Sequence, residues 1–558
     1  MLYAVSALLT AVICWPLFGG FLLHRDAVAT PQSPLTAAAW GVDGAPPRAV
    51  PQDAFVALSS QAVDGGLLVA GVIAASLFLA GVGYGRLARR LLPAAGQTGA
   101  VAASIVAIWN PFVAERLLQG HWSLLAGYAA LGAIVCAVLD VQARPSWRTW
   151  AGLAGWFAVA GLTPTGSILA LLTAVTVVIG LRTRLGLAAG VVVAWLCSAA
   201  PWLLTSAVAD APGGVTGAHA FAPRAEPGLG ALGSLLGLGG VWNADAVPAS
   251  RTGGWALVAT TCLLVLVAFG LASTVRSPGP PVTTVALGVL AALTVGLIAL
   301  GSTSFGLDAF DAVLRTVPGA GLFRDSQKYL ALAMPFVSLA VAAAAGRLGE
   351  AVPSGFAVAV IALLVVAPLP DLTAGVGGKL RPVDYPADYA AVTARIGHSG
   401  SAVAVWPTDT MRDYPWNNGP SLSPLPRMLD APVVYGGPLV VDGETIDAPT
   451  PAAQRVIDAL HAHDSARLAQ SGVEWIVVEH PSDGFSLGEL VYSGADLTVY
   501  RLPGARAWPS PGATAWALTG AGHALWFGCL LAGLAALIAA VVARRRREPT
   551  AGAAEIVG

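Results

Sequence analysis

Apolar stretches, about twelve of them, alternate with short polar connections along this chain, and the charges in those connections are sorted by sign. The stretches run approximately 2–23, 66–85, 97–112, 122–141, 149–163, 166–181, 186–207, 253–274, 283–302, 329–347, 353–369 and 518–543. A stretch of this kind crosses a ~30 Å hydrocarbon core as a helix. Every second connection carries arginine: Arg86, Arg89 and Arg90, then Arg144 and Arg148, Arg182 and Arg184, Arg276, Arg347, and Arg544 to Arg547. The intervening ones carry acids, among them Asp26, Asp53, Glu115, Asp210, Glu226, Asp245 and Asp325. Arginine-rich loops stay in the cytoplasm, so the expectation is a multi-pass plasma-membrane protein with both termini inside and the acids outside.

Composition supports that reading. Hydrophobic residues make up 56% of 558 and charged residues 11%, so most of the chain is solvated by lipid. A net charge of -1, with the basic residues spread over inward loops, points away from nucleic acid as a partner. The five cysteines all fall in apolar segments, so neither disulfides nor a thiolate metal site is expected. Residues 2–23 lack a basic start and a small-residue cleavage site, and read as a retained first helix.

Three outward connections are long, at 24–65, 208–252 and 303–328. The first holds a short interfacial helix with Asp53 as its cap, and the second, rich in glycine, lies along the membrane surface. Residues 371–516 read as a small extracytoplasmic α/β domain. In it Tyr385–Ile396 has helical spacing, and Ser401–Trp406 reads as a buried strand. Pro451–Gln470 follows as a helix burying Val456, Ile457, Leu460 and Leu468, with strands at Val473–Glu479 and Leu497–Leu502. The division is thus 1–370 as a helical membrane domain, 371–516 as the α/β domain, 517–543 as a last helix and 544–558 as a basic tail.

Three clusters can carry chemistry on the outer side. Asp26, in His24-Arg25-Asp26, follows the first helix, where a carboxylate can take a proton from an attacking hydroxyl or hold a divalent cation against phosphate. Arg25 and Asp26 equally suit a plain headgroup anchor. The second connection holds Trp109, Asn110, Glu115, Arg116, His121 and Trp122; Glu115 and Arg116 also read as a surface pair. The third cluster is Arg324-Asp325-Ser326-Gln327-Lys328. Arg324 and Lys328, four apart, share a helix face and form a phosphate cradle at an outer helix N-terminus, with Asp325 as its cap in the plainer reading. In the α/β domain, Trp416 and Asn418 combine an aromatic face and an amide suited to sugar rings. No zinc motif, phosphate-binding glycine loop or nucleophile elbow is present, and no metal-ligand set is read.

This layout resembles the GT-C superfamily, multi-spanning glycosyltransferases that use polyprenyl-phosphate sugars outside the cytoplasm. The matching features are Asp26 in a long first outward loop, Glu115 and His121 in the second, the basic motif from Arg324 to Lys328 before a late helix, and a small soluble domain near the C-terminus. The arginine bias, 28 against two lysines, is that of a GC-rich, actinobacterial type of genome. The resemblance implies a GT-C-like fold of about 12 transmembrane helices plus the α/β domain. It implies transfer of a sugar from a polyprenyl-phosphate donor to a cell-wall glycan or glycolipid acceptor, with inversion. Asp26 is then the base, Glu115 or His121 orients the acceptor, and Arg25, Arg324 and Lys328 meet the phosphate. The first loop has no adjacent acidic pair, so a magnesium or manganese ion is an option rather than a requirement. The rival reading is a non-catalytic relative, a scaffold or transporter in envelope assembly. The spans carry almost no internal charge and show no repeat, which argues against an ion-coupled pump.

Overall fold

A computed structural model of the chain describes residues 1–182, 185–209, 217–275, 281–436, 439–441, 444–447, 449–479 and 485–545. Arg184, Asp210, Arg276, Arg546 and Arg547, used in the charge pattern, lie outside the described residues. Each of the twelve apolar segments contains a helix. Among the described residues, eight helical stretches are long and apolar enough to span a bilayer, two of them, Pro93–Leu118 and Ser326–Ala351, made of consecutive helices; a ninth is formed if Ser354–Val366 and Pro370–Gly378, bent by 85°, count together. The others are shorter. The first helix, Leu2–Cys14, tightens into a 3₁₀ turn at Trp15–Phe18, where Pro16 cannot supply the N–H that an α-helix needs.

The segment predicted to end near residue 112 does something else. Helix Gly96–Ile108 stops at Trp109, and a new helix, Pro111–Leu118, starts at once. The Asn110 carboxamide oxygen caps it by accepting from the Val113 N–H at 3.0 Å, and Pro111 occupies the first helical position. Trp109 is buried and donates its indole N–H to the Leu369 carbonyl at 2.9 Å. Every residue of Pro111–Leu118 is buried, so the second connection is packed inside the protein rather than lying on its surface.

The α/β region follows its sequence pattern closely. Helix Ala387–Ile396 precedes strand β1, Ala402–Trp406; then come β2, Val433–Val434, β3, Val473–Glu479, β4, Glu489–Ser493, and β5, Leu497–Arg501. The sheet order is β4-β5-β3-β1-β2, with β1 parallel to both β2 and β3, and β5 antiparallel to β3. The helix expected over 451–470 is two, Pro451–His461 and Ser465–Gln470, broken where His463 has φ 52°. All four of Val456, Ile457, Leu460 and Leu468 are buried, and Val456, Leu460 and Leu468 pack in one cluster with the strands.

At the carboxyl end of β3, the fully buried Glu479 accepts from Arg412 Nε at 2.6 Å, Tyr414 OH at 2.8 Å and Ser423 Oγ at 2.7 Å. Arg412 belongs to the two-stranded ribbon of Met411–Arg412 and Ser421–Leu422, Tyr414 to the connection between its strands and Ser423 to the residue after it, so one carboxylate pins the ribbon to the sheet. Removing one partner of a buried pair leaves the other charge uncompensated, at about 3–5 kcal/mol. Glu479→Ala should therefore destabilise this region by about that amount, read as a lower thermal midpoint and faster proteolysis within 385–510.

Candidate functional site

Loops predicted to share the outer side do meet. A short antiparallel ribbon pairs Leu23 with Val28 and His24 with Ala27, so Arg25 and Asp26 form a two-residue turn at its tip. Arg25 takes φ 51°, a left-handed backbone that favours glycine and costs a residue with a side chain on the order of 1 kcal/mol. The α/β region holds it there: Arg25 N–H donates to the Pro420 carbonyl at 2.8 Å, and Leu422 N–H donates to the Arg25 carbonyl at 3.0 Å. Below the tip lies Gly120, at φ 82°, where a Cβ would come within 2.4 Å of Ala27 N and 2.8 Å of Asp26 N. Only glycine lets the turn settle on the end of helix Pro111–Leu118.

From Asp26 a hydrogen-bonded chain runs inward. The Asp26 carboxylate lies 3.0 Å from His121 Nε2, and His121 Nδ1 lies 3.0 Å from an Arg116 terminal nitrogen. Arginine only donates, so Nδ1 accepts and the proton sits on Nε2, directed at Asp26. The same Arg116 nitrogen donates to Asp325 Oδ2 at 2.8 Å, and the other terminal nitrogen donates to the Gln327 carboxamide oxygen. Gln327 then donates to Glu115 Oε2 at 3.0 Å, and Glu115 also accepts from the backbone N–H groups of Gly240 at 3.0 Å and Val241 at 3.2 Å. Lys328 Nζ lies 3.6 Å from Asp325 Oδ2.

Burial separates what supports from what can react. Glu115, Arg116 and Gln327 are fully buried, and Asp325 nearly so, whereas the Asp26 side chain is 41% exposed and that of Lys328 24%. Burial would raise the Asp26 carboxyl, but the hydrogen bond and charge of His121 and the charge of Lys328 hold it below its ordinary value. Burial, with Lys328 next, pushes the His121 imidazole down to about 4, despite the help of Asp26. Burial opposes ionisation of Asp325 too, and the charges of Arg116 and Lys328 overcome it, to about 2. The open end of the chain is thus a carboxylate fed by a neutral histidine, with an ammonium close by.

Several expected site residues take different places. Glu115 and Arg116 are not a surface pair; each bonds other groups inside the protein, and Glu115 has no open side toward a substrate. Arg324 and Lys328 do not share a face, because the segment Ser326–Ala333 is a 3₁₀ helix. Its three-residue period pairs Asp325 with Lys328, while the Arg324 guanidinium sits 4.4 Å over the Phe221 ring. Asp325 does not cap that helix with its side chain. Asp53 is likewise no cap: helix Gln52–Ser59 begins before it, and its carboxylate takes Arg427 at 3.1 Å. Arg25 lies 3.6 Å from Asp245. Trp416 stacks on Tyr414 at 4.7 Å with the edges of Tyr385 and Tyr389 around it, so packing occupies the face expected for sugar; Asn418 is exposed.

Sequence reasoning gave no role to Gln327, Gln119 or Gly120. Gln119 accepts from Asn243 Nδ2 at 2.8 Å and offers its carbonyl to Asp26 N–H. Their signal was proximity in sequence to Glu115, His121 and the 324–328 motif. Among the described residues no three His, Cys, Asp or Glu side chains gather to hold a metal, and Arg116 and Lys328 face the Asp26–His121 pair. That donor set does not fit a divalent cation, and no step is derived through one.

No protein-family model matches the chain, and no curated protein matches it in sequence. Among solved structures it is similar to the arabinofuranosyltransferase AftD from mycobacteria, with a TM-score of 0.57 at 17% identity over 92% of this chain and 40% of that one. This chain therefore spans 40% of the length of AftD. ArnT from Cupriavidus metallidurans aligns over 91% of this chain and 99% of its own at 14% identity, with a TM-score of 0.34, too low to add to the assignment. The apolar helices make this a multi-pass membrane protein, and the shared architecture gives it a GT-C-like fold.

Proposed function

We propose that this protein is a membrane glycosyltransferase that moves a sugar from a polyprenyl-phosphate donor to a cell-wall glycan or glycolipid acceptor on the outer face of the plasma membrane. The observation that carries the reading is the half-exposed Asp26 carboxylate, aimed by His121 and set beside Lys328 at the mouth of an otherwise buried polar chain. In the proposed step the acceptor oxygen attacks the anomeric carbon opposite the phosphate. The bond from that carbon to the phosphate oxygen breaks, its electron pair leaves with the phosphate, and Asp26 takes the acceptor proton. His121, neutral and donating, fixes the Asp26 oxygen; Lys328 meets negative charge on the phosphate side. Glu115 and Arg116 act by holding Gln327, Asp325 and His121 in place rather than by touching substrate.

A groove of about 570 Å³ supports the lipid part of this reading. It lies between helix Leu2–Cys14 and helix Gly65–Leu91, walled by Ala7, Ala11, Trp15, Phe18, Ala74 and Phe78. Its aromatic end, Trp15 and Phe18, lies in the 3₁₀ turn from which the chain runs on to the Asp26 ribbon.

Purified protein given a labelled polyprenyl-phosphate sugar should transfer it, and Asp26→Asn should lower the rate by about 10²–10⁴ while leaving donor binding intact. Equal transfer by the variant would remove the base. Gly120→Ala keeps every reacting group but pushes on the turn at Ala27 and Asp26. It should lower kcat by on the order of 10² with little change in donor affinity. The pH profile follows from the lowered Asp26 and from His121 at about 4. Both groups are in their working forms well above that value, so transfer should be flat from mildly acidic pH to neutrality and fall as pH drops toward 4. An acid limb centred near neutrality would contradict the assignment of a neutral His121.

A further inference from the structure

Helix Ser304–Thr316, in the connection that leads to Asp325, has three sides. Leu314 faces inward and clusters with Ala218 and Ala320, flanked by Leu307 and Phe310. A polar edge carries Asp308, Asp311 and Arg315; Asp311 pairs with Arg315, and Asp308 lies 3.8 Å from His219 Nε2. The third side holds Phe305, Ala309, Ala312, Val313 and Thr316, all exposed and at the spacing of one helix face. Phe305 is 74% exposed, and the exposed Val317 follows the helix end. A contiguous apolar patch of this kind marks a surface that meets a partner.

What covers it follows from the preceding helix. Val282–Leu300 is long and apolar enough to cross a bilayer, and its exposed Val285, Val289, Leu293 and Leu297 recur every four residues in a stripe that ends at Leu300. Lipid is the solvent of that stripe. The next helix starts within four residues. Thr303, in extended backbone (φ -90°, ψ 156°), turns the chain and caps the new helix by accepting from the Gly306 N–H at 3.1 Å. The first turn rests on the end of the span, because a Cβ on Gly306 would run into the Leu300 carbonyl. The apolar side therefore begins where the lipid-facing stripe stops. At 13 residues, about 20 Å, the helix is too short to cross, and its charged edge does not suit hydrocarbon.

We propose that Ser304–Thr316 is an interfacial helix, with its Phe305 side embedded at the boundary of headgroups and acyl chains and its Asp308–Arg315 edge turned to water. The partner is the lipid surface itself. Past the helix, Ala320 packs against Leu314, and the chain runs on to Asp325 and Lys328, so the bilayer surface sets the depth of that segment. The inference stands without the transferase reading: it assigns a lipid-binding surface and no reacting group.

The test uses full-length protein in nanodiscs of phosphatidylethanolamine and phosphatidylglycerol, with the photo-cross-linker p-benzoylphenylalanine in place of Phe305, Asp308 or Val313. After irradiation, mass spectrometry should find lipid adducts at 305 and 313, about tenfold more than at 308. Equal adducts at 305 and 308 overturn the proposal, as does their absence at 305 and 313 in protein that elutes like the wild type. Cross-linking of two copies through 305 assigns that side to a second copy and overturns it as well. In a second measurement, Phe305→Asp should speed amide exchange across Ser304–Thr316 by about tenfold or more relative to Phe305→Leu, which keeps the side apolar. Equal exchange in the two variants overturns the embedding. Asp26→Asn should leave every one of these readouts unchanged, so failure of the catalytic reading is seen separately.

Discussion

Arg116 is the residue on which the site depends. A guanidinium with no exposure to water needs acceptors for its donors; the terminal nitrogens of this one find Asp325, Gln327 and the free nitrogen of His121, while its Nε has no partner among the described residues. Each of those partners belongs to a different part of the chain or leads to one. Asp325 and Gln327 bring in the segment before helix Met334–Ala351; Gln327 leads through Glu115 to the 239–241 loop; His121 leads to the first loop. The arrangement is over-determined: a shift of any one strand of the chain would strand a buried charge, a large penalty beside the small net stability of a domain.

The multi-pass architecture was legible from the sequence because it rests on a long-range average, hydropathy, which single residues cannot overturn. The α/β elements were legible for a related reason. The unbroken apolar run Ala402–Trp406 and the spacing of Val456, Ile457, Leu460 and Leu468 report directly what is buried. Asp26 and His121 were read as candidates in separate connections, and in space they lie 3.0 Å apart.

What stayed hidden turned on local backbone choices. Asn110-Pro111 reads as a turn at the end of a helix, yet the same two residues cap and open a new one, and that difference moves Glu115 and Arg116 from the surface to the core. Likewise, residues 324–328 read with a period of 3.6 put Arg324 beside Lys328; the tighter turn sends them apart. The break at His463 has the same character. In each case a change of one residue in phase reassigns a side chain, and no composition or motif signal records it.

The ribbon tip at Arg25 and Asp26 has an implication for how such a protein can be cut and recombined. Its backbone is completed by Pro420 and Leu422, while Phe21 and Val383 exchange two backbone hydrogen bonds and Tyr385 bonds the Ala29 carbonyl. The first loop and the soluble region are therefore one woven edge, although the sequence sets more than 350 residues between them. A soluble piece expressed alone would expose that edge, and a chimera that exchanges the soluble region would bring new neighbours to the carboxylate even if every residue of the first loop were kept. The natural unit of inheritance here is the seam rather than either domain.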